Sequence, residues 1–226
     1  MRDRLGEILY FFRANFLALL AVTLPFAIAA ALVAYTLGEP IALVDEKPVL
    51  HTASAVALTL LYPLALGAKV VAIHQLATQG RIALAPLLSA VVVAWPALLL
   101  ASIVIGAVVG FGIVFLFVVP GAWFYARLGL APILVITEKM RAAEALAEAW
   151  RRSRARQLDL FLLTLLGGLV LVTAVFMVLH IATAADASAT LGADIVARAV
   201  NELCLCLLTL CFYRYWSLDK PVSTND

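Results

Sequence analysis

The chain has 226 residues, of which 65% are hydrophobic and 13% charged, with a formal net charge of +2 and a mean hydropathy of +1.07. Soluble domains are roughly 45 to 50% apolar, so a water-soluble fold would leave large apolar patches uncovered. The small charge also argues against a nucleic-acid partner. The expected class is all-α: a polytopic membrane helix bundle, one domain over residues 1–226, with about six transmembrane helices plus amphipathic interfacial helices.

At the N-terminus Leu5, Ile8, Leu9, Phe12 and Phe16 recur at helical spacing, which predicts a segment lying along the membrane interface. The apolar run from Phe16 to Leu37 is longer than the roughly 7 to 15 residues of a signal h-region, so it reads as a retained first span, residues 15–37. A span needs about 20 mostly apolar residues. Further spans are expected over 53–78, 84–108, 111–136, 158–182 and 195–217. Between Ile82 and Thr137 the sole charge is Arg127, so this stretch must cross twice. Gly106, Gly110 and Gly112 are the expected turn, with Pro120 as a kink inside the fourth span.

Residues 138–152 predict an interfacial helix, with Met140, Ala143, Ala147 and Trp150 on one face and Arg141, Glu144, Glu148 and Arg152 on the other. It runs into a basic cluster. Trp150, Arg151, Arg152, Arg154 and Arg156 would face phospholipid headgroups, where each basic residue contributes on the order of 1 kcal/mol. The simpler alternative is that the cluster only sets topology.

Positive residues mark the cytoplasmic side. Arg2, Arg4, Arg13, Arg81, Lys139, Arg141, the basic cluster, Arg214 and Lys220 fall on one side, and Glu39, Asp45, Glu46, Asp186 and Asp194 on the other with Lys47 and Arg198. Both termini are therefore expected in the cytoplasm.

Lys69 and Arg127 are the charges the bilayer resists most. Each lies ten residues before its helix's cytoplasmic end, about 15 Å deep by helical rise. With Glu202 assigned to the outer half of span six, no acid sits at that level. Two readings follow: both side chains snorkel to the interface, or Lys69 and Arg127, with Tyr62 and Trp123, line a pocket for an anionic headgroup or solute. Arg198 and Glu202, four apart, are expected to pair.

His51, His74 and His180 fall at different depths, which argues against a metal site. Cys204, Cys206 and Cys211 share one apolar stretch and read as small hydrophobes. Gly106 and Gly110 at GxxxG spacing, and Gly167-Gly168, predict close helix packing within the bundle or between protomers. No nucleotide-binding glycine loop, HExxH motif or nucleophile with a base is found, so neither a cofactor nor an enzymatic activity is expected.

Two blocks carry a family resemblance. The first is Phe11-Phe12-Arg13-Ala14-Asn15-Phe16. The second runs from Val118-Val119-Pro120-Gly121 through Leu130-Ala131-Pro132 to Glu138-Lys139-Met140 and Ala149-Trp150-Arg151-Arg152-Ser153. Together they resemble the YciC family of bacterial inner-membrane proteins. A more distant likeness is to the membrane domain attached to some glycerophosphoryl diester phosphodiesterases, whose catalytic barrel this chain lacks. The resemblance implies an inner-membrane location and a link to the lipid envelope, with no catalytic residues to transfer.

The leading expectation is a non-enzymatic multi-pass protein that supports envelope or lipid homeostasis, with membrane phospholipid as ligand and a homo-oligomer or another membrane protein as possible partner. The alternatives are a small transporter or channel for an anionic or amphiphilic solute, and a membrane-embedded lipid enzyme.

Overall fold

The computed structural model describes residues 2–44, 47–116, 118–184 and 191–218. Asp45, Glu46, Asp186 and Lys220 lie outside the described residues, as do the side chains of Arg2, Arg4, Lys47 and His180. Helix α1 (Arg2–Ala14) precedes α2 (Phe16–Leu37), and the strands β1 (Ile41–Val44) and β2 (Lys47–Leu50) follow. Next come α3 (Thr52–Gln79), α4 (Leu84–Leu116), α5 (Val118–Leu128) and α6 (Ala131–Thr137). The chain ends with α7 (Ala142–Arg152), a 3-10 turn (Ser153–Arg156), α8 (Gln157–Ala184) and α9 (Leu191–Leu218).

Six helical stretches are long and apolar enough to cross a membrane: Phe16–Leu37, Thr52–Gln79, Leu84–Ile113, Val119–Thr137, Ala142–Val178 and Leu191–Leu218. Their number and order are those expected; the third and fourth meet later than expected, and the fifth stretch takes in α7 ahead of the expected span on α8. Hydrocarbon offers no hydrogen-bond partner, so the backbone satisfies itself within each helix. The outer surface is correspondingly apolar: Leu17, Val93, Leu158, Leu169 and Phe176 are all exposed.

Two contacts of α9 fix which elements share an end. Near its start Arg198 donates to Glu39, beside the β1–β2 hairpin, at 2.7 Å. Near its finish Trp216 donates to Glu138 and Arg214 to Glu7 of α1. A 28-residue helix is about 42 Å long, so the hairpin and the α1/α7 layer lie at opposite ends of the bundle. We call these the hairpin end and the basic end.

The hairpin itself was not expected; it pairs Ile41 with Leu50 and Val44 with Lys47. The turn between the third and fourth spans also differs from expectation. Helix α4 continues through Gly106, Gly110 and Gly112 to Leu116, and Pro120 stands in the first turn of α5, where its missing N–H breaks no helical bond. Gly112 and Gly121 instead hold α4 and α5 together, since a β-carbon on Gly112 would lie 2.9 Å from the Gly121 Cα.

The fourth span breaks at Gly129-Leu130 rather than at Pro120. Gly129 N–H still donates to the Tyr125 carbonyl at 2.7 Å, and Pro132 opens α6. Phe212 occupies the space that a side chain at 129 would need. The core lies around this break, where Ala131, Ile133, Leu134, Cys206, Phe212 and Trp216 are buried.

Helix α1 settles with Ile8 buried while Leu9 and Tyr10 remain exposed. Helix α7 starts four residues later than expected, after Lys139 at φ 53°, and its buried face is Ala142, Ala145 and Ala149. Ala143 and Ala147, expected on the apolar face, are exposed. Alanines occur all round this helix, and the face that meets α4, α5 and α6 is the one that buries them.

Candidate functional site

Lys69 is 1% exposed and its Nζ lies 2.5 Å from Glu202 Oε2. The expectations that no acid reaches its depth and that it would serve an anion are therefore corrected. Helices α3 and α9 run in the same direction, and helical side chains lean toward their N-termini. On α3 that lean carries the ammonium toward the hairpin end, away from the interface to which snorkelling would take it. The expected Arg198–Glu202 pair does not form. Arg198 Nε instead donates to Asp194, one turn earlier, at 2.9 Å, and its Nη2 to Glu39. The lean toward the N-terminus favours Asp194 over Glu202.

Below the ion pair, His74 Nδ1 sits 2.9 Å from the Tyr213 hydroxyl, with both rings edge-on. Cys206 and Cys211 are buried free thiols. Among the described residues no group of three His, Cys, Asp or Glu side chains comes together.

Arg127, in the last turn of α5, is 4% exposed. Its guanidinium carbon stands 4.4 Å from the Trp150 ring centre and 5.7 Å from that of Trp123, and the two indoles meet edge-on at 5.4 Å. Both Nε and Nη1 are buried without a hydrogen-bond partner. Its charged neighbour is another cation, Arg154. The Arg127 carbonyl accepts from Ser153 Oγ at 3.2 Å, which places it level with the start of α8. Counting rise along an unbroken fourth span put it about 15 Å deep; the break at Gly129-Leu130 removes that basis and brings it to the basic interface.

The four residues expected to share one pocket are thus divided. Arg127 and Trp123 stand together, with Trp150 completing the aromatic box. Lys69 is held by Glu202. Tyr62 lines a different cavity, of about 790 Å³, together with Tyr125, Ser102, Gly106 and Pro132.

The expected lipid-facing cluster is divided in the same way. Arg152 turns inward, donating to Glu138 at 2.6 and 2.9 Å and to Glu148 at 2.5 Å. Arg151, at the exposed edge, donates to Glu148. Hydrogen bonds from Arg151 and Arg152 hold the Glu148 carboxyl below its ordinary pKa, and the bond to Glu138 raises that of Arg152. Arg154 is exposed. Arg156 is half-buried, with its guanidinium 5.8 Å from the Tyr215 ring. Trp150, 39% exposed, covers Arg127 from outside.

Comparison with family models, curated proteins and solved structures found no match. The site therefore rests on its own chemistry: a buried cation with free donors, walled by indoles and flanked by a second arginine.

Sequence reasoning missed Glu138, which joins α6, α7 and α9 by accepting from both Arg152 and Trp216. The signal was an acid beside Lys139 where the fourth span gives way to the arginine-rich loop. It also missed Trp150 as the partner of Arg127, since no local spacing links positions 127 and 150.

Proposed function

We propose that this chain is a non-enzymatic, multi-pass protein of the bacterial inner membrane, with both termini cytoplasmic, that holds an anionic phospholipid headgroup at Arg127 and so supports envelope lipid homeostasis. The observation that carries this reading is the buried guanidinium whose Nε and Nη1 have no acceptor. Leaving a buried donor unpaired costs about 1 to 3 kcal/mol, and more for a charged group. A phosphate oxygen removes that cost through a short, charge-assisted bond. Trp123 and Trp150 stabilise the cation face-on but accept no such bond, and Arg154 adds a second positive charge at the rim.

The gathering of Arg13, Arg81, Lys139, Arg141, Arg151 and Arg154 near the same end agrees with a cytoplasmic face beside anionic lipid. So does the resemblance of the Ala149-Trp150-Arg151-Arg152-Ser153 block to YciC proteins. In this reading Trp150 is the movable wall, since its partly exposed ring lies 4.4 Å from the guanidinium carbon.

Native mass spectrometry of protein reconstituted with phosphatidylglycerol and phosphatidylcholine tests the reading. Wild type should retain phosphatidylglycerol preferentially. Arg127→Gln should weaken that retention by about tenfold to a hundredfold, the equivalent of one charged hydrogen bond. Arg154→Gln, at an exposed position, should weaken it less. Unchanged retention in Arg127→Gln would overturn the proposal. Anion flux in proteoliposomes that depended on Arg127 would point to transport instead.

A further inference from the structure

The 790 Å³ cavity lies toward the hairpin end, between α3, α4 and the α5–α6 break, and includes neither Arg127 nor Trp150 in its walls. Its lining is mostly aliphatic and small. Gly106 and Gly110, at the spacing that predicted helix packing, face no neighbour: a β-carbon at either would meet nothing within 4 Å. The GxxxG face therefore lines open space instead of a helix contact.

Among the hydroxyls of its lining, those of Thr59, Tyr62 and Tyr125 included, the one on Ser102 stands apart. Thr23, Thr59, Thr164 and Thr209 each donate to the carbonyl four residues back in their own helix, the usual resting state of a hydroxyl in a membrane helix. Ser102 does not; its Oγ is buried and has no hydrogen-bond partner. The antiparallel α3–α4 pair matches Trp95 to Leu60 and Ala83 to Gln75, which sets Ser102 opposite the first two turns of α3. That level is close to the hairpin-end interface.

The cavity's dimensions select its occupant. Along α3 its wall runs from Ala55 to Leu66, about 16 Å at 1.5 Å per residue, half of a hydrocarbon core about 30 Å thick. Alkyl carbons pack at roughly 4 Å, so a mostly apolar groove of that length and about 790 Å³ has room for one or two acyl chains.

We infer that this cavity binds the acyl region of a glycerolipid from the hairpin-side leaflet, with the buried Ser102 hydroxyl turning out to donate to an ester carbonyl and the chains running down to Tyr62 and Pro132. The site is separate from Arg127 and does not depend on headgroup charge.

The test uses a phosphatidylcholine carrying a diazirine in one acyl chain, in phosphatidylcholine liposomes containing the full chain. After photolysis, cross-links should concentrate at Ile103, Tyr62 and Ile113 over the exposed Val92 and Val93 of α4. Filling the groove with Gly106→Leu and Gly110→Leu should bring the labelling down to the Val92 level. Ser102→Ala, which removes one donor and no volume, should lower it about twofold to tenfold. Arg127→Gln should leave it unchanged. Uniform labelling in wild type, indifference to both Ser102→Ala and the leucine pair, or protein–protein cross-links at Gly106 in place of lipid would each overturn the assignment.

Discussion

Removing Glu202 while keeping Lys69 isolates the value of an ion pair placed inside the bundle. The Nζ–Oε2 distance is 2.5 Å and Lys69 is 1% exposed, so at an effective dielectric of about 20 the attraction is on the order of 7 kcal/mol. Desolvation of both ions opposes it. The net consequence is asymmetric: losing one partner strands a buried charge and costs about 3 to 5 kcal/mol, whereas replacing both with apolar residues of similar volume is often neutral or stabilising. Glu202→Leu should therefore lower the unfolding midpoint in detergent by about 6 to 20 °C, at about 2 to 4 °C per kcal/mol for a chain of this length. The double variant Lys69→Met with Glu202→Leu should restore most of that loss. Circular-dichroism melts of the wild type, both single variants and the double variant complete the cycle. A double variant as unstable as Glu202→Leu alone would refute the reasoning, because the instability would then stem from lost packing and not from an uncompensated charge.

Three further outcomes follow from the basic end. Glu138→Gln keeps the size of the side chain but removes the charge that Arg152 and Trp216 share, and should destabilise by about 1 to 3 kcal/mol, read from the same melts. Glu148 has its pKa held down by its two arginines, so its contribution is complete above the unfolded-state value of about 4.3 and is lost as pH falls through the lower folded value. The protection of α7 amides against hydrogen exchange, relative to their intrinsic rates at each pH, should accordingly stay flat from pH 7 to about 5 and fall only in stronger acid; a loss of protection near pH 6 would contradict the assignment. Single cysteines at Glu39 and Arg154, in a background with the three native cysteines changed to alanine, should be labelled from opposite faces of the membrane. Labelling from one face would break the assignment of the two ends.

The spans were legible because twenty-odd mostly apolar residues have one stable state in hydrocarbon; all six appear, although the third ends and the fourth begins about eight residues later than expected. Punctuation was less reliable. Gly106, Gly110 and Gly112 suggested a turn on the strength of their conformational freedom, but inside a bilayer a glycine that leaves the helix exposes backbone groups with no partner, so α4 stays helical through all three. Depth was the other failure. Counting rise from span ends treats every helix as straight and every side chain as level with its Cα. That count separated Lys69 from Glu202, which long side chains bring together, and set Arg127 too deep because the fourth span breaks at Gly129. The aromatic box could not be read at all, since Trp150 reaches Arg127 only once α7 has folded back onto α5.

The distribution of these contacts bears on how the lipid sites can operate. Helix α9 carries most of the long-range polar ties: Arg198 to Glu39, Glu202 to Lys69, Tyr213 to His74, Arg214 to Glu7 and Trp216 to Glu138. These fix α9 against α1, α3 and the hairpin at levels along its whole length. Arg127 lies outside that frame. Its box is held by α7 and the turn after it through the Ser153 hydroxyl and the Arg152–Glu138 bridge, and among the described residues the Trp150 side chain makes ring and cation–π contacts and no hydrogen bond. A side-chain rotation at Trp150 therefore opens the guanidinium without breaking a buried hydrogen bond or separating the ion pair. Rotamer changes of partly exposed side chains are fast and small in energy compared with helix movement. Headgroup capture at Arg127 should accordingly leave the α3–α9 contact undisturbed, so the stability of the Lys69–Glu202 variants and the lipid retention of the Arg127 variants should vary independently.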